Sequence, residues 1–543
     1  SASTVSEKAS DLTLTATLNR STYETVTVTL STSGTSTAGT DYASLSSITI
    51  SAGSTTGTTT FNPTSDTLFE NSETAIIAIN TVSGGGATES GTQSITIAIT
   101  DKALDSGTQA TFNSSLASTY FNLAEFNEIG AHKNNFDTSN SEPNPYVTIN
   151  LHQAFGYDKG GSGQTIAILD NHFWLTEAGA SVDHMDLNGK TVTAFGTFNA
   201  PPTSASSHGT AVASIAAGDI GDGGIHGVAP LAKLHVSSNA TKGSYNTYAD
   251  KYAAATAAAS GAIVQNNSWG YTDESIGLAQ YAISDLGYTK SSVVGLFMNG
   301  SSNSASASAV DSYVSALDSF QNNGAIVWAL SNVSSLSDAD IPAALPILFT
   351  ELQEGWISVA NVNVSSSNLL TSSTLQSAPC GQTAAFCLAA DGQDITVAAF
   401  VNSGSNYYSI GSGTSYAAPM VSGSMALLAE HFPNHNVEKL IDRLLASANN
   451  ELGFSQTGTV TFGNGVVHGY SNEAGHGMLD IYAALQPIST SSSARNLIYA
   501  GSNTLGQSAF SLDSSRANLS RSFGDAIEIG LANTNTYFYD ALD

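Results

Sequence analysis

The 543-residue chain is poor in charge, and in basic residues above all. Only 11% of positions are Asp, Glu, Lys or Arg, with 15 Lys+Arg against 44 Asp+Glu. The resulting formal charge of −29 repels phosphate backbones, so no nucleic acid is expected as a partner. Hydrophobic residues nevertheless make up 41%, enough for a large core, which separates the chain from disordered acidic sequences. No run reaches the roughly 18 apolar residues of a membrane-spanning helix, and none is expected. The opening Ser1-Ala2-Ser3-Thr4 lacks the charged-then-apolar order of a signal peptide, as in an exported chain already processed or one never exported. Cysteine is nearly absent. Cys380 and Cys387 bound the segment CGQTAAFC, and no His or further Cys lies close by in sequence to complete a zinc site. Either a disulfide, which favours an oxidising compartment, or two reduced buried thiols fits. A surface left mostly to Ser, Thr, Asn and Gly suits a secreted or cell-surface protein in saline water.

At roughly 100–200 residues per domain, the length predicts two to four domains. Residues 1–101 alternate with period two in Leu12–Leu18, Val26–Leu30 and Ile95–Ile99, separated by turn formers such as Ser83-Gly84-Gly85-Gly86. Short alternating strands at this spacing predict an all-β antiparallel sandwich. The pattern breaks over 102–145, which reads as a linker. Beyond it, Gln164–Leu169, Gly261–Val264 and Gly324–Leu330 are near-continuous apolar runs, as in buried parallel strands. They alternate with helix-like segments at Tyr248–Ser260 and Ser415–His431, which predicts an α/β parallel sheet flanked by helices. A Ser-rich tail follows over 488–543.

Three polar residues occupy places from which such a sheet presents chemistry. Asp170 ends the apolar strand TIAILD, so its carboxylate emerges at the carboxyl edge, where open α/β sheets bind ligands. His208 opens a small-residue helix in SSHGTAVA. Ser415 follows Gly411-Ser412-Gly413-Thr414 at the start of another helix, where unpaired N–H groups and the positive dipole end favour a developing oxyanion. Each is commonplace alone: an Asp at a strand end or a Ser at a helix start is usually a cap. Their joint occurrence, in the order Asp, His, Ser, points to nucleophilic catalysis, and that chain order is the one of the subtilisin triad.

The segments AILDNHF, SSHGTAVASIAAG, GVAPLAKL, NNSWG and GTSYAAPMVSGSMALL resemble the subtilisin-like serine protease family over about residues 146–487. The stretches Ile341–Pro346 and Gly355-Trp356-Ile357, the CGQTAAFC loop and Gly475–Asp480 look like the branch found in bacterial autotransporter passengers. The terminal Asn535–Asp543 looks like sequence preceding a translocator barrel, whose strands do not follow in this chain. The resemblance implies peptide-bond hydrolysis through an acyl-enzyme, with Ser415 as nucleophile, His208 as base and then acid, and Asp170 holding the imidazole. It implies Asn332 as the side-chain oxyanion donor, with Asn266 and Asn267 as rivals. This sequence reads Ala-Leu-Ser-Asn where the family usually has Ala-Ala-Gly-Asn. Ser268, Trp269 and Gly270 resemble the edge that pairs an extended substrate as an added strand. His184, His226 and His476 read as structural.

Residues 5–101 resemble a Calx-beta module. Among such modules the positions matching Glu7, Asp41, Asp66, Glu70 and Asp101 supply carboxylates to calcium, which takes six to eight oxygens; read without the resemblance, these are solvated loop acids. The functional expectation is a secreted serine endopeptidase acting on protein or peptide substrates, those of neutral or basic character preferred at low salt. The alternative is a catalytically silent adhesion or scaffold protein with a calcium-binding module.

Overall fold

The computed structural model describes residues 3–488 and Leu542, except for 7–11, 35, 40, 65–72, 101–111, 131–141, 175–183, 189, 197, 199–206, 222–223, 240–242, 271–273, 298–305, 366–369, 403–404 and 464. The chain divides into two compact units, Ser1–Gln109 and Ala110–Asp543.

The first unit holds strands β1 (Ser3–Ser6), β2 (Leu12–Thr17), β3 (Val26–Gly34), β4 (Ser47–Ile50), β5 (Thr56–Phe61), β6 (Glu73–Ser83) and β7 (Ser94–Thr100). Five form a sheet in the order β1-β7-β6-β3-β4, and β2 pairs with β5 as a separate ribbon. Alternation does the sorting: Val26 and Val28 of β3 are buried, while Thr27 and Thr29 between them are partly exposed. Leu14 and Phe61 of the ribbon share one core with Val26, Ile77, Ile97 and Ile99 of the sheet. One pairing departs from the antiparallel expectation, since β1 runs parallel to β7.

The second unit is built on a largely parallel sheet. Its strands are β8 (Thr165–Asp170), β9 (Val192–Phe195), β10 (Lys233–Ser238), β11 (Val264–Asn267), β12 (Ala325–Ala329), β13 (Trp356–Val364), β14 (Ser373–Leu375) and β15 (Cys387–Ala390). The order is β9-β10-β8-β11-β12-β13, with antiparallel β14 and parallel β15 both on β13. Strands β8, β11 and β12 are buried along nearly their whole length, which is why they read as unbroken apolar runs rather than alternating ones. From β8 the chain passes to one side, to β9 and β10, and then crosses to β11 on the other. The carboxyl end of β8 is therefore the point where strand order reverses, the place such sheets offer to ligands.

The stretch expected to be a linker is corrected in part. Within 102–145, Ser114–Phe121 and Ala124–Glu128 are helical, and Phe126 and Ile129 are fully buried in the core of the second unit. Helices of eight and five residues, rich in Ser and Asn, are too short to show a 3.6-residue period. Cys380 and Cys387 form a disulfide, their Cα atoms 6.1 Å apart. No helix among the described residues is long and apolar enough to cross a membrane.

Candidate active site

Asp170 is the last residue of β8, and in register with it the carboxyl ends of β10 (Ser238) and β11 (Asn267 beside Leu169) lie along the same rim. Its side chain is fully buried. Oδ1 accepts the Asn171 N–H at 2.6 Å and the Nδ1 of His208 at 2.8 Å. A carboxylate can only accept here, so the His208 proton sits on Nδ1 and Nε2 keeps its lone pair. Burial pushes the His208 pKa down, but the charge and hydrogen bond of Asp170 outweigh it and hold the pKa above the ordinary value.

The helix His208–Ala217 is moored to the loop after Asp170. The Gly209 N–H donates to Asn171 O at 2.8 Å, and the Trp174 N–H donates to Thr210 Oγ1 at 2.7 Å. Only glycine fits at 209. A Cβ there would lie 2.6 Å from Asn171 O and 2.8 Å from the Phe173 ring. The glycine after His208 thus lets the imidazole approach its carboxylate.

Ser415 is the second residue of the helix Thr414–His431. The preceding Gly413 has φ +141°, and a Cβ on it would lie 2.8 Å from Asn332 Oδ1, so both backbone and space call for glycine. Asn332 holds this turn: its Oδ1 accepts the Thr414 N–H at 2.9 Å and the Thr414 hydroxyl at 3.1 Å. The ring of Tyr416, next to Ser415, has its centroid 6.0 Å from that of His208. The three elements carrying Asp170, His208 and Ser415 are thereby brought to one rim.

Ser268 is hydrogen-bonded to Ser415 in both directions. Proline at 419 cannot give the N–H that a helix would return to the carbonyl of Ser415. The Ser268 hydroxyl donates to that carbonyl instead, at 3.0 Å, and the Ser415 hydroxyl donates to Ser268 O at 3.3 Å. Asn266 belongs to the same network, its Nδ2 donating to Ser268 Oγ at 2.9 Å and its Oδ1 accepting from Ser422 Oγ at 2.9 Å. Asn267 is buried against Gln265 and Val327. Both rivals of Asn332 are therefore committed inside the fold.

Trp269 is half-buried and Gly270 exposed. The Trp328 indole donates to Trp269 O at 3.0 Å, which fixes this edge beside the cleft. A cleft of about 260 Å³ opens there, between Ser268–Gly270 and Ala329–Asn332, with Thr414, Ser415 and Asp340 completing its lining. Ser331, standing where a glycine was expected, needs no left-handed backbone; its N–H donates to Asp340 Oδ1 at 2.6 Å. Asp340 went unnoticed in the sequence. Its signal is an acid just before Ile341-Pro342, eight residues past Asn332.

The three histidines read as structural, His184, His226 and His476, are buried and held. His184 Nε2 lies 3.0 Å from Tyr407 O, His226 Nδ1 2.8 Å from Gly227 O, and His476 Nδ1 3.0 Å from His468 Nδ1. Burial pushes their pKa values down to about 4, about 4 and about 3. Of the five carboxylates expected to hold calcium, Glu7, Asp66, Glu70 and Asp101 lie outside the described residues. Asp41 is buried in its own loop, where its carboxylate accepts the Thr37 N–H. Among the described residues, no three His, Cys, Asp or Glu side chains gather as a metal site.

The family model described as the subtilase family matches residues 161–477, more than half of the chain. An extracellular serine protease of Serratia marcescens is 28% identical over 327 residues, covering 53% of this chain and 30% of that protein. Mycosin-3 of Mycobacterium tuberculosis is 28% identical over 373 residues, covering 63% of this chain and 72% of that protein. Among solved structures, fervidolysin from Fervidobacterium pennivorans, a keratinolytic enzyme related to subtilisin, aligns with TM-score 0.43 at 20% identity. That alignment covers 62% of this chain and 44% of fervidolysin. The chain thus spans less than a third of the Serratia relative and under half of fervidolysin.

Proposed function

Because the chain belongs to the subtilase family, we propose that it is a secreted serine endopeptidase that hydrolyses peptide bonds through Asp170, His208 and Ser415. Ser415 Oγ adds to the scissile carbonyl carbon while its proton passes to His208 Nε2. The carbonyl oxygen, now negative, is met by Asn332 Nδ2 and the Ser415 N–H. The C–N bond then breaks, the proton moves from Nε2 to the leaving amine, and the acyl group stays on Oγ. Water, deprotonated by the same imidazole, attacks the ester and releases the acid. Asp170 fixes the tautomer and stabilises the imidazolium. The substrate lies extended along Ser268, Trp269 and Gly270 as an added strand.

The observation that carries this reading is the 2.8 Å Asp170–His208 bond at the rim where the Ser415 helix begins. Incubation with an unfolded protein substrate tests it. Ser415→Ala is expected to lower turnover by about 10⁴-fold or more, since the triad acts as a unit. Equal and negligible cleavage by both proteins contradicts the proposal and favours the silent scaffold.

Secretion is supported by the disulfide, a bond of oxidising compartments, and the autotransporter-passenger assignment by the resemblance of the Ile341–Ile357 and Gly475–Asp480 stretches. We also assign the first unit to the Calx-beta sandwiches, with calcium held by Glu7, Asp41, Asp66, Glu70 and Asp101. Five carboxylates are the donor chemistry a hard cation takes, and Asp41 keeps acceptor sites beyond its bond to Thr37. Thermal melting with calcium is expected to exceed melting with chelator; identical curves contradict the assignment.

A further inference from the structure

Three aromatic rings stand in a row beside His208. Phe400 stacks on Tyr407, their planes 7° apart and their centroids separated by 4.7 Å, and the Trp174 ring closes the row 6.3 Å from Phe400. Tyr407 is 42% exposed, and Trp174 and Phe400 are half-buried. Two hydrogen bonds tie the row to the backbone on either side of His208. The Trp174 N–H donates to Thr210 Oγ1, two residues after it, and the Ser207 hydroxyl, one residue before it, donates to Ala399 O beside Phe400. Tyr407 comes from the strand Ser405–Gly411, which is itself moored. Asn406 Oδ1 accepts the Met185 N–H at 2.9 Å, and the Tyr408 hydroxyl donates to Asp186 Oδ1 at 2.9 Å. Residues 407 and 411 share one face of that strand, and a Cβ at Gly411 would lie 2.3 Å from the Tyr416 ring. That face therefore turns toward Tyr416 and His208, whose ring centroids are 6.0 Å apart.

A contiguous cluster of part-exposed rings marks a surface that meets a partner, unlike single apolar residues scattered over an exterior. On the endopeptidase reading above, on which this inference rests, that partner is the substrate itself. The acyl half fills the cleft between Ser268–Gly270 and Ala329–Asn332, none of whose described lining residues belongs to the row. The departing amine takes its proton from His208 Nε2, so the chain beyond the scissile bond leaves past His208, where the row stands. A ring or a branched aliphatic chain there extends the Phe400–Tyr407 stack and releases water from both surfaces. Because these rings already stack on one another, little ordering is needed on binding. We propose that Trp174, Phe400 and Tyr407 are specificity-determining residues that select an aromatic or large aliphatic side chain among the first three residues on the leaving-group side of the scissile bond.

The test uses the full chain and peptides with one common acyl half, in which Phe, Leu or Ser stands in turn at each of the first three positions after the scissile bond. At one or more of these positions, Phe and Leu are expected to exceed Ser by about tenfold in kcat/KM. The Phe-to-Ser ratio is expected to fall toward 1 in Tyr407→Ser and Phe400→Ser, and to persist in Tyr281→Ser, which removes an exposed tyrosine of another helix. Should the first two variants fail to fold, the wild-type acyl-enzyme formed from a methyl ester of the acyl half decides the matter. An added dipeptide amide competes with water for it: the amine nitrogen bonds to the ester carbonyl carbon, the bond to Ser415 Oγ breaks, and the amine proton passes through His208 to that oxygen. Dipeptides carrying Phe are expected to capture the acyl group about tenfold better than those of Ser alone. Equal rates or equal capture in wild type, or an unchanged Phe-to-Ser ratio in folded Tyr407→Ser and Phe400→Ser, overturns the inference and leaves the endopeptidase standing. No cleavage of any peptide overturns the function it rests on, and the inference with it.

Discussion

The backbone N–H of Thr414 can only donate, so the Asn332 atom facing it at 2.9 Å is the carbonyl oxygen. The amide Nδ2 is thereby left to donate elsewhere, and Asn332 is among the residues that line the cleft. Asn332→Ala is therefore expected to lower kcat by about 10²–10³-fold with little change in KM, a range known from subtilisin; an unchanged kcat places the donor elsewhere. The same logic fixes the state of His208. On the proposed mechanism it serves as base only when neutral, and Asp170 holds its pKa above 6.5 against the opposing effect of burial. The acid limb of kcat/KM is expected above pH 6.5. In Asp170→Asn both raising influences are gone, so the limb should move to lower pH while turnover falls by about 10⁴-fold. A limb that stays in place in this variant, measured as a full pH–rate profile, contradicts the assignment.

At the scale of elements, the helix that begins at Thr414 carries a defect and its repair. Pro419 removes the N–H owed to the Ser415 carbonyl, and the Ser268 hydroxyl replaces it. Ser268→Ala leaves that carbonyl and the Asn266 amide without their partner, at a cost of about 1–3 kcal/mol. The expected result is a lower midpoint in denaturant melts together with reduced kcat; unchanged values for both contradict the account. None of this repair could be read from the sequence, where Ser268 and Pro419 stand far apart. The three catalytic candidates were legible because each lies in a dense motif at a strand end or helix start. Asn332 was singled out only through resemblance; Asn266 and Asn267, its rivals, have committed partners inside the fold. The helices at 114–128 were illegible because so few turns carry no period. Asp340 was missed because an acid in a loop acquires meaning only when the fold buries it against the cleft.

For the whole molecule, buried histidines set the response to acid. Burial pushes His152, His184, His226 and His431 down to about 4, and His476 to about 3. Each has a folded pKa below its unfolded value of about 6.5, so the unfolded chain binds more protons in between, and stability falls as pH drops from about 6.5 toward 4. His208 and Asp442 act in the opposite sense, since the raised pKa of each, that of Asp442 pushed by burial to about 6, adds stability as pH falls; these two oppose seven lowered histidines, His235 and His468 included. The melting temperature of the second unit should decline steadily over that window, and a flat profile would mean that these rings are not buried and neutral.

Peptide-mapped labelling by a fluorophosphonate most directly tests whether Asp170, His208 and Ser415 act together. The reagent reports nucleophile activation without requiring a known substrate. The account predicts a single adduct on Ser415 in the native protein, none in Ser415→Ala, and labelling slowed by orders of magnitude in His208→Ala. Equal labelling of native protein and His208→Ala, or an adduct on another serine, would contradict it.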